Sequence, residues 1–224
     1  MKILIRALSV VLAILVPALL VLSAARLIMT ETYLNFEYHR PDFPPDRYGF
    51  TLEDRLHYGP YALRYVFNGE GIDYLAQLTL PNGLPLYSSN ELSHLADVKN
   101  VVRAIFGTLA VLWAVVIMLI VGLWRRDPGV VWVALLSGAT LTLLSLGALT
   151  FFVLTSWDSF FDQFHELFFP GGNWIFDFSD DLIRLYPVQF WQDSALTLGL
   201  LTAIAATLIL ILSFWRLRRK ARLS

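Results

Sequence analysis

The chain has 224 residues, of which 57% are hydrophobic and 16% charged, with a formal net charge of -1 and no cysteine. The missing thiol excludes a cysteine nucleophile, a dithiol relay, a CxxC metal site and c-type haem attachment. The few basic residues sit at the edges of apolar runs, which excludes a nucleic-acid-binding surface. Four apolar runs of about twenty residues raise the mean hydropathy to +0.60 and predict an all-α polytopic membrane protein with no soluble core of usual size.

Taken in order, a short basic start (Lys2, Arg6) leads into the first predicted span at 7–28. Ser23-Ala24-Ala25 resembles a signal-peptide cleavage region, but the run is long for a signal peptide and reads as a retained helix. Residues 30–98 form the first polar region, with ten acidic residues against Arg40, Arg47, Arg55 and Arg64. Thr51 to Tyr65 predicts a helix interrupted at Pro60, 72–80 a strand or short helix, and Pro81 to Pro85 a turn. Ser89 or Asn90 is expected to cap a helix feeding the second span at 104–124. The Trp124-to-Pro128 connection is tight, and the third span follows at 129–154. The fourth, at 195–215, precedes Arg216, Arg218, Arg219, Lys220 and Arg222.

With four spans, Lys2, Arg6, Arg125, Arg126 and the basic tail share one side, which the positive-inside rule makes cytoplasmic. Both termini are then cytoplasmic, and 30–98 and 155–193 are extracytoplasmic, all in one membrane domain. The second outer region is aromatic throughout and carries seven acidic residues against Arg184. Phe161, Phe164, His165 and Phe168 recur at helical steps, and Pro170-Gly171-Gly172 ends that helix. This is the composition of an interfacial element, whose rings serve as anchors or as an active-site lining.

All four histidines, His39, His57, His94 and His165, fall in the outer regions. His94 precedes the second span and His165 follows the third. These two spans form an obligatory hairpin, so the two imidazoles are expected to be neighbours. Such a pair suits acyl transfer: one neutral ring accepts a proton from an attacking amine or hydroxyl while the other protonates a departing alkoxide. Asp97, one turn after His94, is a candidate to orient it, as Asp158 and Asp162 are for His165. Lys99 or a backbone N–H is a candidate oxyanion donor, and Ser93 a less favoured nucleophile. Blander readings stand beside these: a hydrogen-bonded anchor for either histidine, and a helix-start charge pair for Asp97 and Lys99. No short ligand spacing supports a metal, and no glycine-rich phosphate loop or serine elbow is present.

YLNF at Tyr33 to Phe36, ELSHLADVK at Glu91 to Lys99, and FHELFFPGGNWIFDFSDDLIRLYPVQFW at Phe164 to Trp191 resemble the bacterial lipoprotein intramolecular transacylases, as does the four-span layout. The resemblance implies a substrate lipoprotein whose N-terminal cysteine carries a thioether-linked diacylglyceryl group and a free α-amine. Its sn-2 acyl chain moves onto that amine to give the lyso form. The resemblance places the family's histidine motifs on His94 and His165, with no metal and no cofactor. It makes Tyr33, Asn35, Phe161, Phe164, Phe168 and Trp174 the substrate-binding candidates at the outer leaflet. The partners implied are diacylglyceryl-modified lipoproteins and membrane lipid, with no nucleic acid and no obligate protein partner. Competing classes are a non-catalytic assembly or transporter-partner protein, a membrane metallohydrolase, and an N-acyltransferase using a phospholipid donor.

Overall fold

Each long helix follows from an apolar run with a recognisable start. Asp127 caps α6 (Pro128–Thr155) by accepting from the Gly129 N–H at 2.8 Å, with Pro128 in the first turn where its missing N–H costs nothing. α1 (Lys2–Ile28) is continuous through Pro17. The structure, a computed structural model, describes residues 2–223. Its other helices are α2 (Glu31–Tyr38), α3 (Leu52–Phe67), α4 (Asp73–Ala76), α5 (Ser89–Trp124), α7 (Trp157–Phe168), α8 (Asp181–Leu185) and α9 (Val188–Leu223). Four of them, α1, α5, α6 and α9, are long and apolar enough to cross a membrane.

The chain forms two compact units. The first comprises residues 1–26, 106–157 and 197–224. Leu12 and Leu19 of α1 meet Leu109, Val116 and Leu123 of α5 and Val131 and Ala134 of α6 in its core. At Gly138 a β-carbon would lie 2.8 Å from the Ala13 carbonyl oxygen, so α6 and α1 approach backbone to backbone. Ile14, Met118, Leu144 and Leu208 point outward and are each more than half exposed, as expected where lipid replaces water. Lys220 Nζ lies 3.1 Å from Asp127 Oδ1, which brings the basic tail beside the Arg125-Arg126 turn.

The second unit comprises residues 27–105 and 158–196, and polar contacts hold it together. Arg184 bonds Asp46 at 3.0 Å, pairs with Asp181 and lies 3.6 Å over the Phe50 ring. Arg55 donates to the carbonyls of Pro44 (2.7 Å) and Arg184 (3.1 Å). Tyr38 and Tyr186 hydroxyls donate to the carbonyls of Leu185 (2.8 Å) and Gly59 (2.5 Å). One local expectation changes and another resolves to its short-helix alternative. α3 starts from a Thr51–Asp54 capping box and runs unbroken through Pro60 to Phe67. Residues 72–80 give one helical turn, α4, and an isolated bridge between Thr79 and Pro85.

Candidate active site

The start of α5 is fixed by Ser88 rather than by Ser89 or Asn90. Glu91 N–H donates to Ser88 Oγ at 3.3 Å, and Glu91 Oε2 accepts from the Ser88 N–H at 2.6 Å. This is a reciprocal capping box, and it selects Ser88 because the glutamate must lie three residues on. The other carboxylate oxygen of the buried Glu91 accepts from the Leu182 N–H at 2.7 Å, which ties α8 to α5. His94 follows on the next turn.

His165 lies on α7, which ends where Pro170 supplies no N–H. The Phe169 N–H donates back to the His165 carbonyl at 2.7 Å. Gly172, at φ +72°, then takes the left-handed conformation that reverses the chain. The reversal presents Asn173 to α5 and Trp174 to His165.

The two imidazoles meet here, with ring centroids 6.2 Å apart and planes 29° from parallel. Phe169 packs edge-on to His94 at 4.8 Å and lies 5.8 Å from His165. Phe176 closes on His94 at 5.4 Å. Phe161, Trp174 and Phe164 surround His165 at 4.0, 4.9 and 5.5 Å. His165 Nδ1 lies 2.8 Å from the Phe161 carbonyl oxygen. A carbonyl only accepts, so Nδ1 carries the hydrogen and Nε2 of the neutral ring has a free lone pair.

Both rings lie in unit two, His94 on the part of α5 that precedes the apolar stretch 106–124. Burial pushes the His94 imidazole down to about 4, helped by His165 and opposed by Asn173 and Asp97. Burial also lowers His165, against the Phe161 carbonyl and Asp162. Both are therefore neutral bases at neutral pH.

The family description "lipoprotein intramolecular transacylase Lit" matches residues 8–191 of the chain. The chain belongs to this family. A protein of Aquifex aeolicus described only as uncharacterized is 32% identical over 205 residues, which span 90% of this chain and 91% of that one. The fold is similar to the in meso structure of the intramolecular transacylase from Bacillus cereus, with TM-score 0.83 and 22% identity over the whole of both chains. A structure of the same bacterial protein with a histidine-to-alanine mutation gives TM-score 0.78 at 22% identity, covering all of this chain and 97% of that one. The protein is thus a multi-pass membrane acyltransferase whose reaction is intramolecular transfer within a lipoprotein.

The remaining candidates divide. Asp97 accepts from Asn173 Nδ2 at 2.7 Å, and Ser93 Oγ lies 3.3 Å from the same nitrogen. Asp162 acts on His165 by favouring its protonated form, whereas Asp158 is exposed in the first turn of α7. Phe168 packs on Phe164 at 4.9 Å. Lys99 is engaged elsewhere: buried, it donates to Asn68 Oδ1 at 3.0 Å and to the Glu70 carbonyl at 2.7 Å, and sits 3.8 Å over the Tyr65 ring. Five residues after His94, it faces a different side of α5 and clamps the α3–α4 connection.

On α2, Tyr33 meets Phe190 at 6.3 Å. Asn35 lines a separate cavity of about 170 Å³ with Glu31, Tyr38 and Arg64. His39 and His57 are exposed. Among the described residues no group of three His, Asp or Glu side chains is arranged to hold a metal ion. Sequence reasoning passed over Asn173, Phe169 and Phe176. Their signal was weak, since Phe169 falls off the 161–164–168 stripe and Asn173 reads as an ordinary turn residue.

Proposed function

We propose that His94 and His165 carry out the acyl transfer. The sn-2 chain of the diacylglyceryl group moves to the α-amine of the lipoprotein's N-terminal cysteine. An α-amine with an ordinary pKa of about 7.7–8.0 arrives mainly as ammonium. Two protons must therefore leave nitrogen and one must reach the sn-2 oxygen. His165 Nε2 takes the first proton and becomes an imidazolium. The freed amine attacks the ester carbonyl and the C–N bond forms. His94 takes the second proton from nitrogen as the C–O bond breaks, and the His165 imidazolium protonates the departing alkoxide. The amide, the glyceryl hydroxyl and one proton, later released from His94, complete the balance.

Donor and acceptor sit on one molecule, so holding them in an attack geometry supplies much of the rate. Phe161, Phe164, Phe169 and Trp174 form an apolar wall suited to an acyl chain. The observation that carries this reading is the pair of neutral imidazoles 6.2 Å apart within one aromatic cage. The orientation that suits it places both termini in the cytoplasm and the histidines at the outer leaflet, supported by the basic tail lying against the Arg125-Arg126 turn. The test is mass analysis of a diacylglyceryl lipopeptide before and after exposure to the protein. Unchanged mass, a blocked α-amine and an intact thioether are expected. A gain of one acyl chain would indicate an external donor, and a loss would indicate a hydrolase.

A further inference from the structure

The loop after α7 carries a second feature that the histidine pair does not use. Asn173 Nδ2 donates to Asp97 Oδ2 at 2.7 Å and lies 3.3 Å from Ser93 Oγ. A carboxylate offers only acceptors, so the amide nitrogen must face Asp97 and the amide oxygen must face away from it. That oxygen, Oδ1, is buried without a hydrogen-bond partner. So is one nitrogen of the neighbouring His94, Nδ1. Buried polar atoms are rarely left unpaired, and here one orphan is an obligate acceptor and the other can carry a hydrogen. Asn173 is also near enough to His94 to favour its imidazolium.

We propose that Asn173 is a positioning residue that accepts a hydrogen bond from His94 Nδ1–H through Oδ1 while Asp97 holds its amide nitrogen. The chain Asp97–Asn173–His94 then fixes the His94 tautomer with Nε2 bare, matching what the Phe161 carbonyl does for His165. Both rings enter the reaction as bases on the same nitrogen. Positive charge arriving on His94 is spread through an amide to a carboxylate, and no carboxylate needs burying against the ring. The titratable groups facing His94 are His165 from α7 and Asp97 from its own helix. The proposal rests on His94 acting as a base in the transfer.

Two measurements test it. The first is the ¹⁵N spectrum of histidine-labelled protein in nanodiscs at pH 7, with His94 assigned by its loss in His94→Ala. The Nδ1–H tautomer is expected, and the Nε2–H tautomer would overturn the proposal with Asn173 left unchanged. The second is the pH profile of transfer to a synthetic diacylglyceryl lipopeptide. Asn173→Ala should lower kcat about 10- to 100-fold with little change in KM, the scale of losing the outer hydrogen-bond partner of a metal-ligating histidine. Asn173→Asp, which places a carboxylate on Nδ1–H, should recover part of that loss and move the acid limb of kcat/KM to higher pH. Equal losses in both variants with an unmoved acid limb would make Asn173 a loop fastener only. A His94→Ala protein with near-normal turnover would instead overturn the histidine reading beneath it, so the two failures are separable.

Discussion

The two units are built on opposite terms. In the apolar unit, specificity comes from close approach: Gly138 lets α6 reach the α1 backbone, and outward residues such as Leu144 and Leu208 meet lipid. In the outer unit, irregular segments are held by charge and hydrogen bonds, with Arg55, Glu91 and Lys99 each securing backbone from another part of the chain and Arg184 binding the Asp46 carboxylate. Helices satisfy their own backbone, so a helical bundle needs few polar contacts. Loops do not, and every buried N–H or C=O must find a partner. The catalytic candidates lie in the unit whose backbone is fixed by side chains, and that network determines where the imidazoles stand.

The sharpest way to break this comparison is at the histidines. His94→Ala and His165→Ala should each lower initial rates by about 10²- to 10⁴-fold without loss of membrane insertion. The double variant should lose less than the product of the two. The exposed His39→Ala and His57→Ala should stay near wild type. Near-normal turnover in both of the first two variants would sink the paired-base mechanism.

Next in size is Glu91→Ala, which leaves the Leu182 and Ser88 N–H groups without their acceptor at about 1–3 kcal/mol each. Its thermal inactivation midpoint should drop while the helical content of the spans, read by circular dichroism, persists to higher temperature. Simultaneous loss of both would show that the units do not melt separately. Gly138→Ala probes the other unit. Its β-carbon meets the Val16 Cβ at 2.7 Å as well as the Ala13 carbonyl, so destabilisation of about 1–3 kcal/mol is expected from overpacking, read as a lower midpoint for the spans.

The pH dependence of rate follows from the lowered imidazoles. A neutral ring persists below its ordinary 6.5, so the acid limb of kcat/KM should lie below pH 6.5. Stability should follow the same sign. As pH falls from 6.5 toward about 4, the unfolded chain binds a proton that folded His94 refuses, and the folded state is progressively disfavoured. An acid limb above 6.5 would contradict the buried neutral pair. The smallest effect belongs to Leu208→Ala on the lipid-facing side, expected within about 0.5 kcal/mol; a large loss there would mean that this face is covered by protein.

What the sequence determined by itself was everything carried by local composition. Four runs near twenty residues specified four membrane-crossing helices, because a hydrocarbon layer accepts only backbones that satisfy themselves. The 161–164–165–168 spacing placed His165 among phenylalanines, because i, i+3 and i+4 positions share a helix face. Tertiary structure alone decided the rest. Lys99 and Asp97 stand two residues apart in one motif, yet one clamps the α3–α4 connection and the other receives Asn173, since their directions around α5 differ. The Ser88-to-Glu91 spacing of the capping box is local, but the second Glu91 oxygen reaching the Leu182 N–H is tertiary. Phe176 and Asn173 come back toward α5 because Gly172 reverses the chain after α7, whereas Phe169 reaches His94 directly from the end of that helix. A reversal at one positive φ leaves no periodicity to read, and the partners it brings together are some 80 residues apart.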